Sequence, residues 1–410
     1  MKNLKLSRSA LALIILVGVV ADIPAYAGGS VYSRFGVGDL LRYGGGRLDA
    51  MGGTGIALSG DGFLNLLNPA GIGKISLVRI SGGFDFSNYS STDALGSGRY
   101  ARGNFKSVAF GIPVDKENGV ALLLAATPYS SVNYATLAQD TIVEQDFYGA
   151  GGLSLLTFGA SVSPIKHLSL GANLNYVHGR IEQAVNFKFS DPTFLNSEID
   201  RSDFYSGFNF TIGGIYEGFG TSTLAPLSVG FVLSTPTSLS VSRQSILTTS
   251  ESTDTTATNA GNVELPVAYG LGLSYLIGNQ YYITGDVYHQ QWENATFFGN
   301  KLPEIRNSTR FAIGFESLPH RETDPFLKQI AYRAGFYYNS SSYFFSGTQI
   351  NEVFVTGGLG VPIGPDAKLD IGLELGTRGR TSNGLQRDTI FRLSVSVSAS
   401  EAWFLKVEEE

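Results

Sequence analysis

The sequence predicts an all-β fold, a 14-stranded antiparallel transmembrane β-barrel whose N-terminal segment plugs the lumen. The first observation is a long series of segments in which apolar and polar residues alternate, as in strands with two different faces. The second is that no run approaches the roughly 18 consecutive apolar residues of a spanning helix, so any membrane-spanning structure must be made of strands. The third is a glycine-rich apolar segment ahead of the strands.

Residues 1–27 have the three parts of a secretory signal peptide. Three basic residues precede an apolar run from Ala10 to Ala21, and Ala25-Tyr26-Ala27 forms a small-x-small cleavage site. The apolar run is shorter than the roughly 20 residues that a spanning helix needs. We therefore expect a mature chain that begins at Gly28, with a retained anchor as the alternative.

Residues 28–76 are predicted to form an N-terminal segment and plug. The part from Gly44 to Ile75 carries ten glycines, too many for a stable helix or regular strand, and it is also rich in leucine and isoleucine. A segment that cannot form long regular elements but must bury its side chains needs walls from the rest of the protein. We expect the barrel to supply those walls.

Residues 77–404 are predicted to form the barrel. The predicted strands are 77–90, 102–114, 119–135, 150–165, 168–188, 203–217, 226–245, 264–277, 280–294, 307–319, 330–344, 350–363, 367–379 and 388–404. Tight turns follow strands two, four, eight and twelve, and the other connections are mostly longer, as in bacterial outer-membrane barrels. A soluble β-sandwich is the alternative, but its strands usually have about 5–6 residues. Residues 405–410 are expected to form an acidic periplasmic tail.

Composition argues against several classes of function. The chain has a net charge of −6 and no cysteine, which excludes disulfides and thiolate metal sites, and we expect no nucleic-acid partner. Its four histidines show no metal-binding spacing, so no metal or other cofactor is expected. Strand alternation is taken to place His178 on the inward side, away from any serine on the outer wall. We therefore expect a protein that is not an enzyme.

The stretch Asn68-Pro69-Ala70-Gly71, followed at once by the predicted strands, resembles the FadL/TodX-type outer-membrane transporters of long-chain fatty acids and aromatic hydrocarbons. Residues 33–39, 149–153 and 164–172 resemble the branch of that family common in Bacteroidetes. The resemblance implies a barrel in the outer membrane of a Gram-negative bacterium that passively transports hydrophobic or amphipathic molecules, most notably long-chain fatty acids. We expect a monomer whose partners are a hydrophobic small molecule, membrane lipid and the outer-membrane assembly machinery.

The resemblance also implies a lateral exit through the third strand. Pro128 is the candidate gate, because proline removes a ladder N–H and is rare inside paired strands, although a simple bulge is the alternative. The candidate ligand-binding plug residues are Phe63, Leu64, Leu66, Leu67, Asn68, Pro69 and Ala70, which in the alternative only pack on the wall. The candidate residues for holding a carboxylate or anchoring the plug are Arg79, Arg310, Arg333 and Arg392. In the anchoring role, these and other lumen-facing charges such as Lys106 would pair with one another and with the plug residues Asp49 and Asp61.

Two other functions fit the same fold. A barrel that binds exported proteins, like the shuttle of type IX secretion, would have long ordered outer loops and an unbroken third strand. A general porin would have a wide open lumen, and the plug disfavours it.

Overall fold

The computed structural model describes residues 29–42, 44–94, 96–191, 193–220, 224–320, 323–364 and 366–402. The predicted signal peptide (1–27) and acidic tail (405–410) lie outside the described residues. Within the described residues, no helix is long and apolar enough to cross a membrane.

Fourteen antiparallel strands form the wall, and three of them are interrupted. They are β1 (Val78–Thr92), β2 (Ser97–Asp115), β3 (Val120–Pro128 and Ser130–Gln139), β4 (Val143–Ile165), β5 (Leu168–Phe189), β6 (Ser197–Glu217), β7 (Leu227–Ser234 and Thr237–Thr249), β8 (Thr253–Leu265 and Ala268–Ile277), β9 (Tyr281–Gln290), β10 (Ser308–Ser317), β11 (Ala331–Phe345), β12 (Thr348–Gly364), β13 (Ala367–Gly379) and β14 (Arg387–Glu401). Strand β14 pairs with β1 along its whole length, which closes the ring. The predicted 14-stranded antiparallel barrel is confirmed.

Side chains alternate along the strands between a polar lumen and an apolar exterior. In β5, Asn173 and Asn175 are buried inside, and Leu170 and Leu174 are exposed on the outer wall. His178 continues the outward series, because β5 pairs with both neighbours without a register shift from Leu170 to Phe187. The prediction that His178 faces inward is therefore wrong.

The two rims of the barrel differ. We call the rim with the β2–β3 and β4–β5 turns the lower rim, and the opposite one the upper rim. At the lower rim, Asp115 accepts hydrogen bonds from the side chain of Asn118 and from the backbone N–H groups of Asn118 and Glu117, and these bonds lower the pKa of Asp115. Strands β4, β5 and β6 have 23, 22 and 21 residues, about twice what a membrane crossing needs, so the wall projects at the upper rim.

The N-terminal residues fill the lumen from the upper rim downwards. They form a 3₁₀ helix at Val31–Arg34, a two-residue strand at Asp39–Leu40, the helix α1 at Gly45–Ala50, and a second 3₁₀ helix at Pro69–Lys74. Near the upper rim, the hydroxyl of Tyr32 donates to the backbone carbonyl of Gln386 in the β13–β14 connection. We refer to residues 29–42 as the N-terminal segment and to residues 44–76 as the plug.

Candidate functional site

The wall is not continuous between β2 and β3. These strands pair only from Asp115 and Val120 near the lower rim to Val108 and Ala126. Above that point β2 pairs only with β1, and the upper half of β3 pairs with β4 and with Asp39–Leu40. We call the unpaired stretch between residues 97–107 of β2 and residues 130–139 of β3 the seam.

The seam begins where β3 is interrupted, directly after Pro128. Proline has no N–H to donate to a neighbouring strand. The pairing with β4 shifts by one residue here, from Pro128 opposite Ser154 to Val132 opposite Gly151. Gly152 has a φ of +150°, and a Cβ there would lie 2.2 Å from the carbonyl oxygen of Ser130, so only glycine permits this close approach.

The N-terminal segment covers the edge of β3 from inside the barrel. Asp39 and Leu40 pair with Ser131 and Ser130. The Ser33 hydroxyl accepts from the backbone N–H of Asn133 at 3.1 Å. Its single proton lies between two carbonyl oxygens, that of Ser30 at 2.8 Å and that of Asn133 at 3.0 Å. These contacts satisfy the lower part of an edge that would otherwise lack a partner.

A cavity of about 360 Å³ opens at the seam. Half of its lining residues are apolar, among them Leu41, Phe105, Pro128 and Leu156, and the other half are polar, among them Ser131. Phe105 and Leu156 are 43% and 45% exposed on the outer face of the wall. The cavity therefore joins the apolar exterior of the barrel to the edge of the N-terminal segment. We call it the seam cavity.

A second cavity, of about 120 Å³, lies in the lumen between the N-terminal segment and the plug. It shares Leu41 and Pro128 with the seam cavity. Unlike the seam cavity, it is lined mostly by charged and polar side chains, among them Asp49, Lys106 and Arg310. We call it the lumen chamber.

The proposed ligand-binding residues of the plug are mostly packed against protein. Phe63, Leu64 and Leu66 are between 7% and 9% exposed. Leu64 and Leu66 pack with wall residues of β2 and β3 near the lower rim, and Phe63 lies under the guanidinium of Arg47 at 4.1 Å. Leu67, by contrast, lines a third cavity of about 120 Å³ with Ile56, Tyr288 and Arg310.

The Asn68-Pro69-Ala70 stretch locks the end of the plug to the wall. The Asn68 side chain is fully buried, accepts from the N–H of Ala70 at 3.0 Å, and donates to the carbonyl groups of Ile56 at 2.7 Å and Phe231 at 3.1 Å. A Cβ at Gly171 of β5 would lie 2.4 Å from the carbonyl carbon of Pro69, so the wall is in direct backbone contact with this stretch.

The four candidate arginines have different surroundings. Arg333 forms ion pairs with Glu316 at 2.7 Å and Asp370 at 2.6 Å, and Arg392 forms one with Glu374 at 2.9 Å. Arg310 donates to the carbonyl oxygen of Gly52 in the plug at 2.9 Å. Arg79 is buried near the lower rim, and its Nε has no hydrogen-bond partner among the described residues.

Sequence reasoning missed the ion pair that joins α1 to the wall. Arg47 binds Glu316 of β10 through Nε at 3.0 Å and Nη2 at 2.6 Å. Two residues further on, Asp49 pairs with Lys106 of β2 at 2.7 Å, and this pair was expected from the sequence. The presence of charged residues in an otherwise apolar, glycine-rich plug is the sequence feature that could have predicted the ion pair of Arg47. Asp61, which was also expected to anchor the plug to the wall, accepts instead from the backbone N–H of Ser76 at 2.7 Å.

Several solved structures share this fold. A Pseudomonas aeruginosa FadL homologue matches with a TM-score of 0.64 at 12% identity, covering 88% of this chain and 99% of its own. The Ralstonia pickettii toluene transporter TbuX matches with a TM-score of 0.60 at 17% identity over the same shares. The CymD monoaromatic hydrocarbon channel matches with a TM-score of 0.59 at 15% identity, covering 90% of this chain and 100% of its own. At these identities the likeness shows the fold alone.

Sequence comparison assigns the family. No curated protein matches the sequence. The BamG family model matches residues 7–408, almost the whole chain. The chain therefore belongs to the BamG family.

Proposed function

We propose that this protein is a barrel in the outer membrane of a Gram-negative bacterium that passively admits hydrophobic or amphipathic small molecules through the seam. The observation that carries the proposal is the loss of pairing between the upper halves of β2 and β3, with a partly apolar cavity at the gap. Proteins of similar fold include a monoaromatic hydrocarbon channel and a toluene transporter, which are not enzymes. Long-chain fatty acids remain the leading candidates for the transported molecule. The proposal also includes membership of the Bacteroidetes-like branch of FadL/TodX-type transporters.

The seam offers a route that avoids water. Moving apolar surface from water into an apolar cavity is favourable by about 25 cal/mol per Å², so no energy source is needed to draw a hydrophobic molecule in. The lower lumen is filled by the plug, which buried ion pairs hold to the wall. A molecule in the seam cavity thus has an easier exit sideways, past Phe105 and Leu156, than downwards. Pro128 is proposed as the gate because β3 is interrupted directly after it, and the edges of β2 and β3 are unpaired above this interruption.

Opening the route requires the N-terminal segment to move away from β3. Its polar contacts with β3 include the two-residue strand pairing, the hydrogen bond from the N–H of Leu41 to the carbonyl of Tyr129 at 2.9 Å, and the hydrogen bond from the N–H of Asn133 to Ser33. Tyr32 and Val37 also belong to the same buried apolar cluster as Val132 and Tyr134 of β3, and this packing adds to the cost of the movement. We propose that Leu67 contacts the ligand and that the other six candidate plug residues hold the plug in place.

A second candidate is a barrel that binds a protein partner in outer-membrane assembly. Membership of the BamG family favours this candidate, because it suggests an association with the assembly machinery. The wall that projects at the upper rim, formed by β4, β5 and β6, offers surface for such a partner. The interruption in β3 favours transport over the shuttle-like alternative, for which an unbroken third strand is expected.

Uptake of radiolabelled oleate into liposomes that contain the purified barrel tests the proposal. Wild type is compared with Pro128→Val, which restores a backbone N–H at the interruption. Pro113→Val is the matched control, because Pro113 lies in the paired part of β2 opposite Ala121. We expect saturable uptake by wild type and Pro113→Val and a several-fold lower rate for Pro128→Val. Unchanged uptake by a folded Pro128→Val barrel would overturn the assignment of Pro128 as the gate. Absence of uptake by wild type would favour the candidate function of binding a protein partner.

A further inference from the structure

We propose that the unpaired edge of β2 at the seam binds an extended, amphipathic β-strand of a second protein, of the kind that forms the walls of outer-membrane barrels. The strand adds to residues 97–105, which we call the free edge of β2. This inference goes beyond the passage of small molecules, because it gives the seam a protein ligand, and binding does not require transport. It supplies a binding site for the protein-binding candidate above.

The free edge of β2 lacks backbone partners. Residues 97–105 pair continuously with β1 on one side. On the other side, toward the seam, no backbone group of the described residues forms a hydrogen bond with them. In an antiparallel strand, alternate residues direct both N–H and C=O to the same neighbour, so about half of these groups face the seam. An unpaired edge of this length is a template for an added strand.

The opposite edge of the seam, on β3, already pairs with a short strand of the chain itself. The two-residue strand Asp39–Leu40 pairs with β3 at the lower end of the seam. Asn133 turns its backbone toward the same side, where the Ser33 hydroxyl lies 3.1 Å from its nitrogen and 3.0 Å from its oxygen. Alternation therefore turns the backbone groups of Ala135 and Leu137 toward the seam as well. No strand within the described residues pairs with this upper part of the edge.

The seam is wide enough to receive a strand. Adjacent strands are about 4.7–4.9 Å apart, so two strands that flank a third are about 9.5 Å apart. The Cα atoms of residues 97–107 and 130–139 lie, almost without exception, more than 8 Å from one another. A long side chain bridges this gap, since Nη1 of Arg102 donates to the hydroxyl of Ser131 at 2.8 Å. A strand therefore fits with little further separation of the two edges.

The two faces of β2 specify an amphipathic partner. Phe105 faces outwards and packs edge-on against Phe84 on the outer wall. Tyr100 and Arg102, at odd spacings from Phe105, face the lumen. An added strand continues both faces of the sheet. Its outward residues are therefore apolar and its inward residues polar, as in the strands of an outer-membrane barrel.

The charge of the seam favours acidic residues in the partner strand. Residues 97–107 contain Arg99, Arg102 and Lys106 and no acidic residue, and residues 130–139 contain no charged residue. Lys106 is paired with Asp49 at 2.7 Å, whereas Arg99 and Arg102 form no ion pair within the described part of the chain. Oppositely charged side chains on neighbouring strands stabilise their pairing. A carboxylate on the inward face of the partner strand is thus complementary to Arg102.

Hydrogen–deuterium exchange of the purified barrel in a non-ionic detergent, with and without a peptide, tests the proposal. The probe is a synthetic peptide with the sequence of residues 369–377 of β13, in which leucine and isoleucine alternate with residues that include Asp370 and Glu374. A scrambled peptide of the same composition is the first control. The second control is the peptide with Asp370→Asn and Glu374→Gln, which keeps the alternation and loses the charge.

Without peptide, about half of the amides of residues 97–105 should exchange at least about tenfold faster than those of β5, which is paired on both sides. Saturating peptide should slow the exchange of residues 97–105 by at least about tenfold and leave β5 unchanged. The scrambled peptide should bind at least about tenfold more weakly, and the uncharged peptide about two- to fivefold more weakly.

Three outcomes would each overturn the site: slow exchange of residues 97–105 without peptide, absence of saturable binding, or binding that leaves the exchange of residues 97–105 unchanged. Equal binding of the scrambled peptide would overturn the amphipathic pattern, and equal binding of the uncharged peptide would overturn the preference for acidic residues. Oleate uptake is a separate readout. Uptake without peptide binding refutes this proposal alone, and peptide binding without uptake refutes transport alone.

Disulfide capture locates the bound peptide independently. Because the chain has no cysteine, Ala101→Cys on the free edge can be oxidised specifically with a peptide that carries Leu373→Cys. Ala150→Cys is the matched control, since Ala150 is an exposed alanine of β4, which is paired on both sides. We expect capture by Ala101→Cys at least about tenfold faster than by Ala150→Cys. Equal rates would contradict binding at the free edge of β2.

Discussion

Glu316 holds the plug in the barrel, and we expect the substitution Glu316→Gln to loosen it. Glu316 is 1% exposed and accepts hydrogen bonds from Arg47 of the plug at 3.0 and 2.6 Å and from Arg333 of the wall at 2.7 Å. The substitution keeps the shape of the side chain but removes its negative charge. Arg47 then loses its only ion-pair partner among the described residues, and Arg333 keeps Asp370.

The free-energy cost of each substitution depends on whether it leaves a buried charge without an ion-pair partner. Removing one partner of a buried ion pair costs about 3–5 kcal/mol. The substitution Arg47→Gln should cost less, about 1.5–3 kcal/mol, because Glu316 keeps Arg333 as its partner. At 1.4 kcal/mol for each factor of ten, Glu316→Gln should raise the population of barrels with a displaced plug by at least about a hundredfold.

Conductance of single barrels in a planar lipid bilayer measures plug displacement directly. Wild type should stay closed, Arg47→Gln should open rarely, and Glu316→Gln should open often. Glu198→Gln is the control, because Glu198 is exposed in the projecting part of β6. If Glu316→Gln barrels fold but open no more often than wild type, or if Arg47→Gln opens more often, the reasoning about the buried charge is wrong.

Two further predictions concern the seam and the plug. The substitution Ser33→Ala removes the acceptor of the Asn133 N–H and the hydroxyl proton that the carbonyls of Ser30 and Asn133 share. It should raise the rate of oleate uptake several-fold, and an unchanged rate would show that Ser33 does not restrain the seam. The substitution Asn68→Ala leaves buried backbone groups of the plug and wall without partners, so it should lower the urea midpoint of plug unfolding by an amount equivalent to about 1–3 kcal/mol, and a midpoint equal to that of wild type would contradict a locking role for Asn68.

The sequence was informative about the wall where one face of a strand meets lipid. There the period-2 pattern is strong, and the predicted strands overlap the observed ones throughout. It was less informative at the upper rim, where β8 begins at Thr253 rather than 264 and β6 at Ser197 rather than 203. Both faces of a projecting strand meet polar surroundings, so its composition is rich in threonine, serine and asparagine and shows no alternation.

The candidate site could be predicted only in part. Pro128 pointed to the interruption of β3, because the loss of a backbone donor is readable from one residue. The length of the seam depends on which residues of β2 and β3 pair, and that register is a non-local property. Arg310 could not be told from Arg333 by its position in a strand, since the difference between them is whether a carboxylate from another strand lies within ion-pair distance.

Reversible closure of the seam tests the lateral route most directly. Because the chain has no cysteine, the pair Asn104→Cys and Ser131→Cys can be joined across the seam cavity by a short bifunctional methanethiosulfonate linker and released by reduction. The control pair is Tyr269→Cys and His289→Cys, which lie opposite each other on the paired strands β8 and β9. We predict that the linker abolishes oleate uptake at the seam, that reduction restores it, and that the control pair transports at the wild-type rate throughout. Uptake that continues with the seam linked would contradict the account.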